Sequence, residues 1–365
     1  MRIEEVKTRL ASLPLPRGPW GDTIHHVTHI EIILVEITAD NGVAGTGLSH
    51  TSGVGGSAIK ALIEHDLTPF VLGKEAAPRA LWQPCWQHVH DMGGGGVSTT
   101  ALGAIDIALW DLLAKSVGLP LTAVLGGKVR DKVQAYASGI NLNKPLDVLL
   151  GQVEGWLADG YTAFKVKVGK PEIEEDVERL TKVRERIGRL PLMVDANQGW
   201  SFAHATRAIR AFEPLAITWV EEPLLCDDIA GYGRLRQIAP CPIAGGENVY
   251  TLHQFQQYMA AGGLDFVQAD LVRVGGITPY LEIAALARAY NLPMAPHFMM
   301  ELSGQVLCTL ANGHILENID GGSLTDLKAL RPGAAGIVDG WFTPGEKPGH
   351  GLEFDLDTFA RHAVT

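Results

Sequence analysis

Residues 191–200, "PLMVDANQGW", combine two features that rarely stand together. The apolar run 192–194 is typical of a short strand that is buried on both of its faces. Asp195, Asn197 and Gln198 follow at its C-terminal end, so a strand suited to a dry interior ends in a carboxylate and two amides. The same combination recurs along the second half of the chain.

Eight short apolar segments follow one another after about Val133 and alternate with stretches of helix length. The segments are VQAYAS, AFKVKVG, LMVDAN, ITWVEEP, PIAGGEN, DFVQAD, PMAPHF and HILENI. This alternation predicts a parallel (β/α) barrel of the TIM type. The stretch that ends at Asp320 is short for eight complete units, so we expect one outer helix to be missing or borrowed.

The sequence before the barrel predicts a mixed α+β unit. Residues 1 to about 55 are rich in strand formers and carry the hairpin signal Asp40-Asn41-Gly42. From about Ser57 to Val117 the apolar residues take helical spacing. After the barrel, the Gly/Pro-rich link "LRPGAAG" leads to a tail, Ile337 to Thr365, that could return to the first unit.

Composition excludes several classes of protein. The formal net charge is −11 and no basic run of five residues occurs, which argues against a nucleic-acid partner. The four cysteines form no C-x-x-C pair, so neither a disulfide framework nor a thiolate metal site is predicted. "MRIEEVKTRL" lacks the apolar core of a signal peptide, and "IEIILVEITA" is too short to span a bilayer. We therefore expect a soluble cytoplasmic protein without a membrane partner.

Polar side chains end the second to the eighth barrel strand, roughly one βα unit apart. They are, strand by strand, Lys165 and Lys167, Asp195 and Asn197, Glu221 and Glu222, Glu247 and Asn248, Asp270, His297, and Glu317 and Asn318. A single such residue is explained equally well as an ion pair or a helix cap. Seven consecutive strand ends instead predict convergence on the C-terminal rim, where barrel enzymes place their chemistry.

Three consecutive strands bring carboxylates to this rim. Crowded carboxylates repel each other and need a cation, and oxygen-only ligands suit Mg²⁺ better than Zn²⁺. Glu221 and Glu222 are neighbours on one strand, so only one of them can point inward. The residues alone do not decide which.

Two candidate bases flank this group. Lys165 and Lys167 alternate with valines and point to the same side of their strand, where two ammonium groups are expected to lower each other's pKa. His297 could be a second base if Asp270, one strand earlier, oriented its ring. A base on each side of a metal-bound substrate suits the removal of a proton from carbon and its return elsewhere.

Seven motifs in chain order resemble the mandelate racemase subgroup of the enolase superfamily. They are FKVKVG, MVDANQGW, WVEEP, GGEN, DLVRVGGIT, APHF and HILEN, and the resemblance extends to "ALGAIDIALWDLLAKSVGLPLTAVLGG". It thus covers nearly the whole chain, including both the predicted α+β unit and the barrel.

The resemblance implies a role for each rim residue. Asp195, Glu221 and Glu247 would bind Mg²⁺, Lys167 would be one base, and the Asp270–His297 dyad would be the other. Glu317 would be a protonated acid that hydrogen-bonds the substrate carboxylate, with Lys165 and Asn197 assisting. Ser138, at the end of the first strand, is a weaker candidate for the same contact.

The histidines around the first hairpin are the remaining candidates for substrate contact. His25, His26 and His29 are most simply a surface cluster. In the resembled family this region caps the barrel and selects the substrate, so we retain His26 as a substrate-binding candidate.

The predicted fold is therefore α/β, with a modified (β/α)7β barrel of TIM type and an α+β capping domain. We expect residues 1–125 to form the capping domain, 126–325 the catalytic barrel, and 326–365 a segment that returns to the capping domain.

The resemblance implies abstraction of the proton α to a carboxylate, giving an enediolate stabilised by Mg²⁺, Lys165 and Glu317. "GDTIHHVTH" and "SHTSGVGGS" are polar and small, which favours an acid-sugar dehydratase that makes a 2-keto-3-deoxy acid from an aldonate or aldarate. A 2-hydroxy-acid racemase or epimerase is the alternative. The expected partner is a small carboxylate substrate, and a homo-oligomer is expected.

Two other kinds of protein are less well supported. His88-Val89-His90 resembles the His-x-His of zinc hydrolases, but it lies outside the strand repeats. A binding protein without activity would require decayed catalytic positions, and none is decayed. "MGGGG" at 92–96 has no following Lys-Ser/Thr and indicates a flexible loop instead of a phosphate cradle.

Overall fold

The first part of the chain is built on a three-stranded antiparallel sheet in the computed structural model, which describes residues 1–364. Its strands, in the order β1-β4-β5, are β1 Ile3–Pro14, β4 His29–Ala39 and β5 Ala44–Thr51, with the small ribbon β2 Trp20–Gly21 and β3 His26–Val27 between the first two. The predicted hairpin turn joins β4 to β5, and Gly42 takes the left-handed backbone (φ 79°) that such a turn requires.

Helices cover one face of this sheet. They are α1 Gly56–Leu62, α2 Thr68–Val71, α3 Pro78–Val89, α4 Val97–Ser116 and α5 Leu121–Val124, with a π-helical turn at Ile63–Leu67 and a 3₁₀ turn at His90–Met92. Helix α4 lies so close to β5 that a Cβ on Gly45 or Gly47 would come within 2.2 or 2.1 Å of a helix carbonyl oxygen. Only glycine permits this approach. The sheet and helices together are called the cap below.

Helix α4 is also long and apolar enough to cross a membrane, judged by length and composition alone. However, 89% of its apolar window is buried inside the protein. That burial is the pattern of a core helix of the cap, which packs against β4 and β5 on one side.

The second part of the chain is the predicted parallel barrel. Its strands are β6 Val133–Ser138, β7 Phe164–Lys167, β8 Leu192–Asp195, β9 Val220–Glu221, β10 Ile243–Gly245, β11 Phe266–Val267 and β12 Leu316–Ile319. The seventh barrel strand is a short segment that pairs through single bridges, Val267 with Met294 and Asp270 with His297. Parallel pairing of β12 with β6 closes the barrel.

Each of the first seven barrel strands is followed by an outer helix. The helices are α6 Leu146–Ala158, α7 Ile173–Ile187, α8 Phe202–Phe212, α9 Ile229–Ile238, α10 Leu252–Ala260, α11 Ile277–Ala289 and α12 Met300–Thr309. Within the described residues no helix directly follows β12, so the helix that was expected to be missing is the eighth. The (β/α)7β prediction is confirmed.

The barrel interior beneath the C-terminal rim is filled by apolar side chains. Tyr136, Ala163, Met193, Trp219, Ala244, Ala295 and Ile315 form one buried cluster there. Lys165 lies directly above it, with Nζ 5.5 Å from the centre of the Tyr136 ring. Polar groups at the rim therefore have a dry floor, which strengthens every electrostatic interaction among them.

The tail contacts both parts of the protein. Its hairpin, β13 Ile337–Val338 and β14 Trp341–Phe342, pairs antiparallel with the start of β6, and the helix α13 Leu356–Arg361 follows. The backbone N–H of Ser12 on β1 then donates to His362 O at 2.9 Å, and Val364 N–H donates to Leu10 O at 3.0 Å. The boundaries near residues 125 and 325 stay a prediction.

His350 belongs to the tail and contacts the cap. Because its ring is buried, we expect the stability of the protein to depend on pH through this residue. Its Nε2–H donates to Thr46 O at 2.8 Å, and its Nδ1 accepts from Leu352 N–H at 3.0 Å. The second contact needs the neutral ring, because only an unprotonated Nδ1 can accept a hydrogen bond, and burial lowers the pKa of His350 below its ordinary value of 6.5. The unfolded chain then binds the proton more readily, so stability is lost as the pH falls through 6.5.

We expect this histidine alone to remove about 1 kcal/mol of unfolding free energy between pH 7.5 and 5.5. Denaturant unfolding at both pH values, compared with His350→Leu, measures this term. His65→Leu, at an exposed cap histidine, is the matched control. An equal pH dependence in wild type and His350→Leu would contradict the assignment.

Candidate active site at the barrel mouth

Three predicted carboxylates meet at the C-terminal rim of the barrel. Asp195 ends β8, Glu221 ends β9, and Glu247 lies two residues beyond β10. One oxygen from each lies within 4.8 Å of the others, and all three residues are buried. Glu222 is instead turned toward Asn248, whose Nδ2 donates to it at 3.0 Å. Of the two neighbouring glutamates, Glu221 is therefore the one that lies beside Asp195 and Glu247, as the resemblance implied.

The electrostatics of this group fit a bound cation. The pKa of Glu221 is raised to about 8, because burial and the neighbouring carboxylates Asp195, Glu317 and Glu247 together outweigh the lowering effect of Lys165. Keeping all three carboxylates ionised in a buried site therefore requires additional positive charge. Oxygen donors from carboxylates alone are the set that Mg²⁺ prefers, so the residues fit this ion.

The two lysines of β7 are both bound by carboxylates. Lys165 Nζ lies 2.5 Å from Glu221 Oε1 and 2.7 Å from Glu317 Oε1, while Lys167 Nζ lies 2.5 Å from Asp195 Oδ2. Both ammonium groups are almost completely buried.

The lowering of the lysine pKa values that was predicted beside a divalent cation is not produced by the protein groups alone. Burial and Lys165 do lower the pKa of Lys167, but the attraction of Asp195 outweighs them and the pKa is raised. A divalent cation that takes up the charge of Asp195 removes this attraction. Metal binding and a neutral, basic Lys167 therefore favour each other.

Glu317 also differs from its implied protonation state. Burial raises the pKa of Glu317, but the positive charge of Lys165 opposes burial and the net pKa is lowered. This direction favours the ionised carboxylate. Its other oxygen accepts from Phe298 N–H at 3.3 Å. A protonated Glu317 thus requires a further negative charge nearby, such as that of a bound substrate carboxylate.

The second candidate base is assembled on the opposite side of the metal-ligand group. His297 Nδ1 lies 2.8 Å from Asp270 Oδ2, and His297 Nε2 lies 3.5 Å from Glu247 Oε2. Burial lowers the pKa of His297, but Glu247 and the hydrogen bond to Asp270 raise it more. Lys167 contacts the group through Asp195 and His297 contacts it through Glu247, so the two bases approach it from different sides.

A cleft opens above these residues and is lined by both parts of the protein. The barrel side includes Lys165, Lys167, Asn197, Glu247, Arg273, His297 and Glu317. The cap side consists of Trp20, Asp22, His25, Val27, Ile30, His50 and Ser52.

Two weaker substrate candidates lie outside this lining. Ser138 is fully buried at the end of β6, and its hydroxyl has no hydrogen-bond partner among residues 1–364. His26 is exposed and lines a separate hollow beside Asn143. His25 is the neighbour that reaches the cleft, because Asp22 holds its ring through a contact of 3.1 Å. The candidate in this loop therefore shifts from His26 to His25.

The turn between β2 and β3, residues 22–25, is called the cap loop here. Its Thr23 side chain contacts the barrel rim. Thr23 Oγ1 lies 3.0 Å from Ala196 O and 2.9 Å from Asn197 O. Gly199 leaves room for it, since a Cβ there would come within 2.7 Å of Thr23. Asn197 has a left-handed backbone (φ 42°), and its side-chain oxygen has no partner among the described residues. This oxygen is free to accept a hydrogen bond from a substrate hydroxyl.

The fold and this site define a class: a metal-dependent barrel enzyme with an acid–base group on each side of its substrate. The chain belongs to the mandelate racemase / muconate lactonizing enzyme family of the enolase superfamily. Residues 5–126 match the N-terminal domain of that family, and residues 149–358 match its enolase C-terminal domain-like part. Of the residues that the resemblance implied, the barrel brings Asp195, Glu221 and Glu247 together at its rim.

Individual relatives agree with this membership. The chain is 36% identical to a 3,6-anhydro-α-L-galactonate cycloisomerase of Streptomyces coelicolor over 99% of both chains. It is 39% identical to the L-talarate/galactarate dehydratase of Salmonella typhimurium, over 82% of this chain and 77% of that one. A racemase from Streptomyces coelicolor with bound magnesium superimposes with a TM-score of 0.95 at 36% identity, over 99% of this chain and 100% of that one. The protein is thus a Mg²⁺-dependent enzyme.

The zinc-hydrolase alternative is not supported by the positions of its histidines. His88 stacks on Phe70 with ring centres 4.3 Å apart, and His90 stacks on Trp86 at 5.0 Å. Among residues 1–364, the group able to hold a metal ion is the carboxylate triad at the barrel mouth.

Proposed function

We propose that this enzyme dehydrates an acid sugar, an aldonate or aldarate, to a 2-keto-3-deoxy acid, as a step in the catabolism of carbohydrate acids. The observation that carries the proposal is the pair of acid–base groups, Lys167 and His297, on separate sides of one triad of metal ligands. Proton removal and proton delivery can then occur at two adjacent carbons of the same bound molecule.

The chain's own residues supply the steps. Lys165 and Glu317 hold the substrate carboxylate, and Asp195, Glu221 and Glu247 hold Mg²⁺, which when bound supplies positive charge that stabilises the enediolate. Lys167 accepts the proton from the α-carbon. His297, which Asp270 keeps protonated, donates its proton to the β-hydroxyl, the C–O bond breaks, and water leaves. The resulting enol takes a proton at the β-carbon and becomes the keto acid.

The cap side of the cleft supports a hydroxylated substrate over an aromatic one. Asp22, His25 and Ser52 offer hydrogen-bonding groups on the cap side of the cleft. Trp20 and Val27 contribute apolar surface on the same side. A polyhydroxylated chain can satisfy these polar groups, whereas the phenyl ring of a mandelate-like substrate would leave them unpaired.

A screen of aldonic and aldaric acids with Mg²⁺, scored for keto-acid release, tests the proposal. It should be run beside optical rotation on simple 2-hydroxy acids such as mandelate. Rotation that decays to zero, with no keto acid from any sugar acid, would replace dehydration with racemisation.

Cycloisomerisation is a second candidate, favoured by the 36% identity over 99% of both chains to a 3,6-anhydro-α-L-galactonate cycloisomerase. In a 3,6-anhydro sugar acid the oxygen on C3 is an ether of the same molecule. The same proton removal and C3–O cleavage would then open the ring without releasing water. A product with the mass of the substrate, instead of the mass of the substrate minus water, identifies this reaction.

Changing Asp270 to Asn tests the role of His297 as an acid. The amide no longer favours the protonated ring, so we expect dehydration to fall by about two orders of magnitude. Mg²⁺ affinity should be retained, because the three ligands are unchanged. Initial rates of keto-acid release and calorimetric Mg²⁺ titration measure the two quantities. Unchanged rates would remove His297 from the elimination step.

Three further expectations stay predictions: a cytoplasmic location, a homo-oligomeric assembly, and the absence of nucleic-acid and membrane partners. The cytoplasmic location is supported by the cysteines, all four of which are free in the described residues. Fractionation and light scattering would test location and assembly.

A further inference from the structure

A second histidine, from the cap, reaches the carboxylate that orients His297. His50 lies near the end of β5, and its side chain is 1% exposed. Its Nε2 lies 3.1 Å from Asp270 Oδ2, the same oxygen that His297 Nδ1 contacts at 2.8 Å. One carboxylate oxygen thus binds two imidazole rings, one from the cap and one from the barrel.

The other side-chain hydrogen bonds of Asp270 go to Oδ1, so on Oδ2 only His50, among the described residues, supports the contact with His297. Oδ1 is fixed by the backbone N–H groups of Val272 and Arg273, at 2.8 and 3.0 Å. Apart from the two histidines, the nearest charged group to Oδ2 is the Arg273 Nε at 3.9 Å, beyond hydrogen-bond distance. Without His50, the hydrogen bond from His297 would be the one that remains on Oδ2.

The ring of His50 also supports the wall beside His297. It packs edge-on against Phe298 with ring centres 4.8 Å apart, and Phe298 in turn lies 5.6 Å from the His297 ring. Phe298 has a left-handed backbone (φ 54°), which a bulky residue keeps only where its surroundings hold it.

His50 acts in this arrangement as a neutral donor. Burial lowers its pKa, and its Nδ1 has no partner among the described residues, so the proton resides on Nε2 and is donated to Asp270. The contact is therefore a directional hydrogen bond. A leucine cannot replace it, whereas a side-chain amide can.

We propose that His50 is a positioning residue: by fixing Asp270 Oδ2 from the cap, it holds His297 at the angle needed for proton transfer. The inference rests on the proposed role of His297. It also makes the cap a participant in the acid–base chemistry on one side of the substrate, while Lys167 receives no contact from His50.

Face-selective exchange tests this proposal. Galactonate and talonate differ in configuration at the α-carbon, so incorporation of deuterium from D₂O into each reports one base. In His50→Leu we expect exchange by His297 to fall about 10- to 100-fold, the usual effect of losing a hydrogen-bond partner that orients a functional histidine. Exchange by Lys167 should change less than about threefold in the same variant.

His50→Gln keeps an N–H donor near the position of Nε2 and should recover most of the loss. His65→Leu, at an exposed cap histidine, is the control and should leave both rates unchanged. Equal losses on both faces in His50→Leu, or no rescue by His50→Gln, would overturn the proposal, because a general packing defect predicts those results.

A readout without turnover separates this inference from the proposed function. The His297 Nδ1–H resonance, assigned by its loss in His297→Asn, should move in ¹⁵N-histidine spectra of His50→Leu and return toward its wild-type position in His50→Gln. If wild type exchanges neither sugar acid, galactonate and talonate are excluded as substrates of the proposed reaction, and the spectra still decide on His50. An unmoved resonance in His50→Leu would disprove the positioning role.

Discussion

Replacing Asp195 or Glu247 with alanine is expected to abolish Mg²⁺ binding and turnover together. Each side chain supplies one of the three oxygens that lie within 4.8 Å of one another, so either substitution removes one of the three anionic ligands of the ion. The loss should also unbalance the site, because Lys167 pairs with Asp195 and His297 contacts Glu247. EDTA should abolish activity in wild type, and added Mg²⁺ should restore it.

Calorimetric Mg²⁺ titration and keto-acid release measure the two losses in the same preparations. Glu213→Ala, at an exposed position outside the site, is the matched carboxylate control and should bind Mg²⁺ as wild type does. Circular dichroism verifies that the variants are folded. Full activity in the presence of EDTA, or wild-type Mg²⁺ affinity in Asp195→Ala, would end the metal assignment.

Removing either base alone should eliminate exchange of the α-hydrogen on one face of the substrate. Lys167→Ala should lose exchange of the α-hydrogen that faces β7, and His297→Asn should lose exchange of the opposite configuration. Each loss is expected to reach about four orders of magnitude, the upper end for general acid–base catalysis, because within the described site no second base contacts the same part of the metal-ligand group.

Deuterium incorporation into C2-epimeric acid sugars, followed by NMR, measures both faces in each variant. The face that remains active in one variant is the control for the folding and metal content of that variant. If both variants exchanged both epimers at wild-type rates, neither residue would be a base, and the two-sided mechanism would be wrong.

Sequence reasoning located the barrel and its rim because the chemistry repeats with the strands. Asp195, Glu221 and Glu247 end consecutive strand segments, each one βα unit after the one before, and a closed parallel barrel must bring such ends together. The choice between Glu221 and Glu222 was open because adjacent residues on a strand differ only in direction. That direction depends on the local backbone, and Glu222 has a left-handed φ of 40°.

The protonation states and the cap contacts could not be predicted in the same way. Spacing indicated that Lys165 and Lys167 share a side, but the net pKa of Lys167 depends on a contact of 2.5 Å with Asp195. His50 lies 220 residues before Asp270, and no periodic pattern relates the two. His25 and His26 are neighbours whose roles are separated only by the closed geometry of the cap loop.

The contact between the tail and β1 has a consequence for the order in which the newly made chain folds. Ser12 pairs with His362, near the opposite end of the chain. At about 5–20 residues per second, a ribosome completes this partner roughly 20–70 seconds after it has made β1. Ile3, at the start of β1, pairs with Gly73 and Lys74, but the edge around Leu10 and Ser12 lacks its partner until the tail has been made. An exposed strand edge invites association with other chains, so nascent chains of this enzyme are expected to need a chaperone at this edge until translation ends.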